Sequence, residues 1–186
     1  VPDAIIVNSH AGKSMHEDMN YRSRSWQIIP NGFDLNKLNI DPVARDGLCE
    51  EIGVNPSKIL IGMVARFDPV KGHSNLMKAA EEILASNKNV HFVFAGKDVS
   101  LDNPHIQTFV TKDTASNCTF LGQRSDIARL NNAFDVAVSA SLSEGFPNTI
   151  GEAMACGTPC VVTDVGDCAE IVSDTGIVVP ANDHLK

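Results

Sequence analysis

The chain has 186 residues, 43% hydrophobic and 20% charged, an ordinary globular composition with length for one to one and a half domains. Fifteen Lys and Arg against 23 Asp and Glu give a net charge of −8, which argues against nucleic acid as the main partner. No apolar run is long enough to span a bilayer, and Val1-Pro2-Asp3 begins neither with methionine nor with a secretory signal, so the chain reads as a piece of something longer. The five cysteines include no C-x-x-C pair. They read as buried reduced thiols in a cytoplasmic protein, ahead of a zinc site or a disulfide framework.

In chain order, Asp3–Ser9 predicts a short buried strand and Lys13–Met19 a polar helix, and Trp26–Ile29 predicts a strand that stops at the turn signal Pro30-Asn31-Gly32. Asp41–Ile52 has helical spacing, with Leu48 and Ile52 on one face and Gly53 as its stop. Ile59–Val64 is an apolar strand, Gly72–Ala85 a helix whose inner face is Leu76, Ala79, Ala80 and Ile83, and Val90–Ala95 the next strand. Pro104–Thr114 predicts a helix, Cys118–Leu121 a strand, Ser125–Asn132 a short helix and Asp135–Ala140 a strand. Pro147–Cys156 predicts a helix, Pro159–Thr163 a strand, Cys168–Val172 a helical turn and Ile177–Val179 a last strand. Met15, Met19, Met63, Met77 and Met154 fall on predicted inner faces as core filler.

Uninterrupted Val/Ile runs alternating with amphipathic segments imply an α/β fold, a parallel sheet covered on both faces. Right-handed crossovers then make it a doubly wound, Rossmann-like domain from about Leu38 onward, with residues 1–29 as the tail of another domain. Ligands in such sheets bind outside the carboxyl ends of the strands, so the loops to search include Ala65–Gly72, Ser139–Thr149 and Thr163–Asp167.

Several motifs are absent. No two glycines stand as G-x-G, which disfavours a dinucleotide dehydrogenase, and no G-x-S-x-G elbow occurs. Gly12-Lys13-Ser14 imitates the end of a phosphate loop, but Val7 stands where its first glycine belongs. No two aspartates are two apart, so a D-x-D metal clamp is missing and no metal site is expected.

The richest stretch runs from Ser143 to Pro159. Pro147 suits a first helical turn, and the free N–H groups near Phe146, Asn148 and Thr149 would face the ligand edge, ready for a diphosphate. Glu144 lies in the loop and Glu152 roughly 8 Å further along the helix. They suit hydroxyl groups on either side of a diphosphate, or else they are helix-start acids complementing the dipole. A second cluster places Arg66 just past a strand and Lys71 at a helix start, where two cations oppose the macrodipole. That points to an anionic ligand, or to a partnership of Arg66 with Asp68.

Pro30-Asn31-Gly32-Phe33-Asp34, Arg66…Lys71-Gly72 and Glu144-Gly145-Phe146…Glu152-Ala153-Met154-Ala155-Cys156-Gly157-Thr158-Pro159 resemble, in order and spacing, the retaining family 4 glycosyltransferases. These include sucrose synthases and many bacterial surface-polysaccharide transferases. The resemblance covers nearly the whole chain and implies a GT-B architecture: two Rossmann-like domains across a cleft, the C-terminal one binding a nucleotide-sugar donor, most often a UDP-sugar. It implies that Arg66 and Lys71 hold the diphosphate, that Glu144 meets the donor sugar, and that Gly145 and Phe146 offer backbone contacts. Pro147, Asn148 and Thr149 would form the helix start against the donor, and Glu152 would hold the ribose. No metal or cofactor is implied besides the donor, since Arg, Lys and the helix terminus supply the positive field.

The implied division is residues 1–29 as the end of an acceptor domain, 30–37 as linker and 38–186 as the donor domain. The acceptor, a glycan or lipid-linked glycan, would be met through the other domain, as befits polysaccharide or glycoconjugate biosynthesis. The location would be cytoplasmic, with peripheral contact at the inner membrane face as an open alternative, and this chain alone would be inactive. A non-catalytic nucleotide-sugar-binding module and a sugar-nucleotide epimerase are the competing readings. The E-x7-E spacing of Glu144 and Glu152 argues against the second, and the Arg66/Lys71 pair against the first.

Two departures from the family pattern stand out. Gly166 is followed by Asp167 where a second glycine is common, and Asp167 is expected to face solvent or the sugar. Gly96-Lys97-Asp98 stands where G-x-G is common. His73 is expected as a surface residue at a helix start ahead of a ligand contact, and the basic, aromatic run Tyr21–Trp26 as a solvated connection ahead of a contact with anionic lipid.

Overall fold

The computed structural model describes residues 1–185. In chain order the elements are β1 (Ala4–Val7), α1 (His10–Asp18), β2 (Ser25–Ile28), α2 (Ala44–Ile52), β3 (Ile59–Val64), a 3-10 turn (Pro69–Lys71) and α3 (His73–Ser86). There follow β4 (Val90–Ala95), α4 (Pro104–Gln107), α5 (Lys112–Ala115), β5 (Cys118–Phe120), α6 (Ile127–Ala133) and β6 (Val136–Ser139). The chain then forms α7 (Asn148–Ala155), β7 (Cys160–Thr163), α8 (Cys168–Val172) and β8 (Ile177–Val179).

Six strands form one parallel sheet in the order β5-β4-β3-β6-β7-β8. This is the doubly wound order, and the direction of winding reverses between β3 and β6, which pair at Ile61–Val136 and Gly62–Ala137. β1 and β2 pair with each other in a separate parallel sheet.

The apolar runs reach their expected places because central parallel strands are buried on both faces. All six residues of β4 are buried. On one face Phe92, Phe94 and Met63 meet Leu76, Met77, Ala80 and Leu84 of α3. On the other, Leu60, Val93 and Ala95 meet α2 through Leu48 and Cys49 and α6 through Leu130 and Ala133. Further along that second face, Ile150 and Ala153 of α7 and Cys168 and Val172 of α8 cover Ala137, Cys160 and Val162.

Four expectations are corrected. The sheet is not covered on both faces throughout: on the first face α3 reaches Val138 of β6, but no helix of the described residues covers β7 and β8, where Val161 and Val179 line a cavity of about 500 Å3 beside Ala79 and Ile83. The inner face of α3 is accordingly Leu76, Met77, Ala80 and Leu84, with Ala79 and Ile83 only half-buried. The expected helix over 104–114 is two single turns, because Phe109 and Val110 close i−3 bonds to Ile106 and Gln107 and Thr111 starts afresh in a capping box with Thr114. Met15 and Met19 are 51% and 56% exposed rather than core, since α1 has only the narrow β1–β2 sheet to pack on.

Candidate functional site

The winding reversal leaves a crevice above the carboxyl ends of β3 and β6, and the loops that follow these strands carry the charged residues. After β3, Asp68 caps the 3-10 turn by accepting the Val70 N–H at 3.0 Å, which sets Lys71 at the turn's last position. Gly72 then takes a left-handed φ of 73° with its α-carbon against the Ala140 carbonyl, an approach that any side chain would block. After β6, the Leu142 N–H donates to the Val70 carbonyl at 2.7 Å, so the two loops are joined by their backbones.

The result is a cavity of about 300 Å3 lined by Arg66, Lys71, Ser141, Glu144, Phe146, Pro147, Asn148 and Thr149, among others. Lys71 Nζ stands 2.6 Å from Glu144 Oε1, with the two side chains 18% and 11% exposed. Arg66 is 60% exposed and pairs with Asp68 at 2.9 Å, the partnership that its sequence position left open. The Val70 N–H and then Arg66 hold the Asp68 carboxyl below the usual carboxylate range.

At the floor of the crevice α7 begins. Pro147 is its cap residue, with φ −77° and ψ 95°, rather than part of its first turn, and no side chain caps the helix. The N–H groups of Asn148 and Thr149 donate to no protein acceptor among the described residues. They therefore present the positive end of the helix to the cavity that holds Lys71. Phe146 stacks on Phe33 at 6.3 Å, and Asn31 Nδ2 donates to Asn148 Oδ1 at 2.7 Å, which fixes residues 31–33 beside the helix start.

Glu152 does not line this cavity. It is half-buried on α7, where burial raises its carboxyl above the usual range. Gly145 also lies off the cavity wall; its carbonyl accepts the Asp167 N–H at 3.0 Å.

Asp167 neither faces solvent nor stands in the cavity. It is buried, and its carboxylate accepts the N–H groups of His10 and Ala11 at 2.7 and 2.9 Å, capping α1 from 157 residues away. Its reach follows from Gly166, whose φ of 57° and close packing on the Glu144 and Gly145 carbonyls turn the chain toward α1.

His73 is likewise not a surface residue. It is 3% exposed, 5.5 Å from Phe67 and 6.5 Å from Phe94, because the tight approach of Gly72 to Ala140 draws the first residue of α3 beneath the sheet edge. Burial pushes its pKa down to about 4. The Ala65 carbonyl partly opposes that shift but is not placed for a hydrogen bond. Of the run from Tyr21 to Trp26, residues 21–24 form a connection, with Tyr21 exposed and set edge-on against His16, while Ser25 and Trp26 open β2.

Ser141 was not singled out in the sequence. It is buried, and its hydroxyl donates to Glu144 Oε1 at 2.7 Å. A serine three residues before an acid is too common to flag without the fold. No group of three or more His, Cys, Asp or Glu side chains among the described residues is placed to hold a metal ion, and no helix of those residues is long and apolar enough to cross a membrane.

Residues 58–186 match the family described as glycosyl transferases group 1. The chain is 32% identical to EpsF of Bacillus subtilis over 83% of this chain and 40% of that protein. It is 30% identical to the UDP-Gal:alpha-D-GlcNAc-diphosphoundecaprenol alpha-1,3-galactosyltransferase of Escherichia coli, over 84% of this chain and 41% of that one. Among solved structures it is similar to Anabaena Alr3699/HepE in complex with UDP and glucose, with a TM-score of 0.88 and 26% identity over 98% of this chain and 50% of that chain. The chain thus spans about two fifths of the length of those curated relatives and half of that structure.

Proposed function

This chain belongs to the glycosyl transferases group 1 family and has the α/β fold of its GT-B structures, and from that premise we propose that it is the donor-binding half of a retaining, family 4 type glycosyltransferase. One observation carries the reading. The point where the sheet reverses its winding brings together a cation from the β3 loop, a carboxylate from the β6 loop and an uncapped helix start, namely Lys71, Glu144 and the N–H groups of Asn148 and Thr149.

In this proposal the donor's diphosphate lies over the start of α7, where Lys71, with Arg66 at the rim, neutralises the charge that grows as the nucleotide departs. Glu144 meets the hydroxyls of the sugar, the backbone at Gly145 and Phe146 borders it, and Glu152 takes the ribose from outside the described cavity. UDP is the first candidate nucleotide, since HepE is solved with UDP and glucose and the Escherichia coli relative is named for UDP-Gal. Residues 1–29 belong to the acceptor domain in this scheme and 30–37 form the linker. The acceptor is a glycan or lipid-linked glycan, and no metal takes part in donor binding.

The test is calorimetry with UDP, GDP and ADP, each with and without a chelator. Binding of at least one nucleotide, unchanged by chelator, is expected. No heat at millimolar nucleotide would sink the donor reading, and a strict Mg²⁺ requirement would sink its metal-free part.

A further inference from the structure

Resting on the donor-binding reading above, we infer that Ser141 is the positioning residue for Glu144: it keeps that carboxylate at the cleft while Lys71 exchanges it for a diphosphate. Two donors converge on a single oxygen, since Glu144 Oε1 accepts from Lys71 Nζ at 2.6 Å and from Ser141 Oγ at 2.7 Å. Oε2 accepts from no protein group among the described residues, which leaves it available to a hydroxyl of the sugar.

Ser141 is itself held in place. Its carbonyl accepts the Thr163 hydroxyl at 2.6 Å, from the end of β7, and the same hydroxyl lies 3.3 Å from the Ser139 carbonyl. Both Ser141 and Thr163 are buried. The next residue, Leu142, is bonded to the Val70 carbonyl, so Ser141 cannot move without disturbing the turn that carries Lys71.

A diphosphate at Lys71 competes with Glu144 for the ammonium group. When it wins, Glu144 loses one of its two partners and stands close to negative charge. A mostly buried carboxylate left with no donor is costly, whereas one that keeps a hydroxyl is tolerated. Removing the Ser141 hydroxyl therefore harms the diphosphate-bound arrangement more than the arrangement in which Lys71 still holds Glu144. Removing Glu144 instead abolishes the competition, and with it any role for Ser141.

The experiment is a double-mutant cycle on nucleotide affinity in the full-length protein, read by calorimetry with UDP, and with GDP or ADP if the parent binds either more tightly. Ser141→Ala should weaken binding by about three- to tenfold, below the full loss of a hydrogen bond to a charged group because Lys71 compensates in one state. Ser141→Thr should restore most of that loss. Glu144→Ala should tighten binding of the bare nucleotide, and adding Ser141→Ala to it should change nothing further. If Ser141→Ala fails to fold, Ser141→Cys serves in its place, being similar in size and a weak donor.

Parent-like affinity in Ser141→Ala would overturn the inference while leaving the donor reading intact. A loss that persists in the Glu144→Ala background would overturn it too, since Ser141 would then act through structure alone. A parent that binds none of the three nucleotides overturns the donor reading and this inference together.

Discussion

In the six-stranded sheet, β4 buries all six residues between helices, and Phe92, Val93 and Phe94 have almost no exposed surface. In the two-stranded sheet, every other residue of β1 and β2 is exposed, and α1 has no buried residue at all. The larger sheet is held by apolar area, and its order is spread over three clusters. A two-stranded sheet is marginal by itself, so α1, β1 and β2 lean on polar contacts sent from the site loops. Asp167 caps α1 from outside, Ser9 caps it from within, and Asn31 reaches Asn148. Of these groups only Asn148 lines the candidate cleft; Asp167 and Ser9 hold α1 from outside it.

The largest effect is expected in the sheet. Phe92→Ala should cost about 3–5 kcal/mol in denaturant unfolding and speed amide exchange throughout residues 59–179. Loss confined to β4 would show that the six strands do not unfold as one unit.

Next comes the buried imidazole. With a folded pKa of about 4 against 6.5 unfolded, His73 stays neutral in the native chain while the unfolded chain takes up a proton. Its contribution is therefore full above about pH 6.5 and falls away as pH drops toward 4, by about 3 kcal/mol in all. Burial pushes His91 down to about 4 as well, so His73→Leu should remove only the His73 share of the decline across that window, and a decline as steep as the parent's would remove His73 as a cause.

Asp167→Ala should have a smaller and local effect, about 1–2 kcal/mol from the lost cap, seen as faster exchange in residues 4–28 with β3 and β4 unchanged. Equal acceleration in both sheets would mean that the two regions share their stability. Smallest of all is Asp126, whose carboxyl Arg124 and then Arg129 hold down at about 2, from an ordinary 3.8. A depressed acid stabilises above its unfolded value, so this contribution is lost as pH falls from about 4 to 2; the pairs are partly solvated and Asp126→Asn should remove about 1 kcal/mol or less.

The same division explains what could be read from the sequence. β3, β4, α8 and β8 appear with the expected bounds, because runs rich in Val, Ile and Phe, and short segments bounded by Gly and Asp, are local signals. The gathering of Arg66, Lys71, Glu144 and Phe146–Thr149 at one edge was also legible, since alternating strands and helices imply a parallel sheet and the loops after parallel strands share its carboxyl edge. Met15, Met19, His73 and Asp167 were misread for one reason. Each environment is set by how near a distant segment comes: Ala140 for the turn before His73, α1 for Asp167, and only a narrow sheet for the two methionines. Periodicity tells which face turns inward, not whether anything stands there to meet it. Ser141 was missed, and Pro147, expected in the first turn of α7, is its cap residue; both lie on a finer scale, that of one hydrogen bond and one cap position.

A phosphate-binding role for the crevice between β3 and β6 is tested most directly by Lys71→Ala, with parent and variant titrated side by side against UDP. The variant should bind more weakly by about 1.5–3 kcal/mol, the range for a hydrogen bond to a charged group, with unfolding stability near that of the parent. Binding of UDP as tight as the parent's would contradict that role and place the nucleotide elsewhere on the molecule.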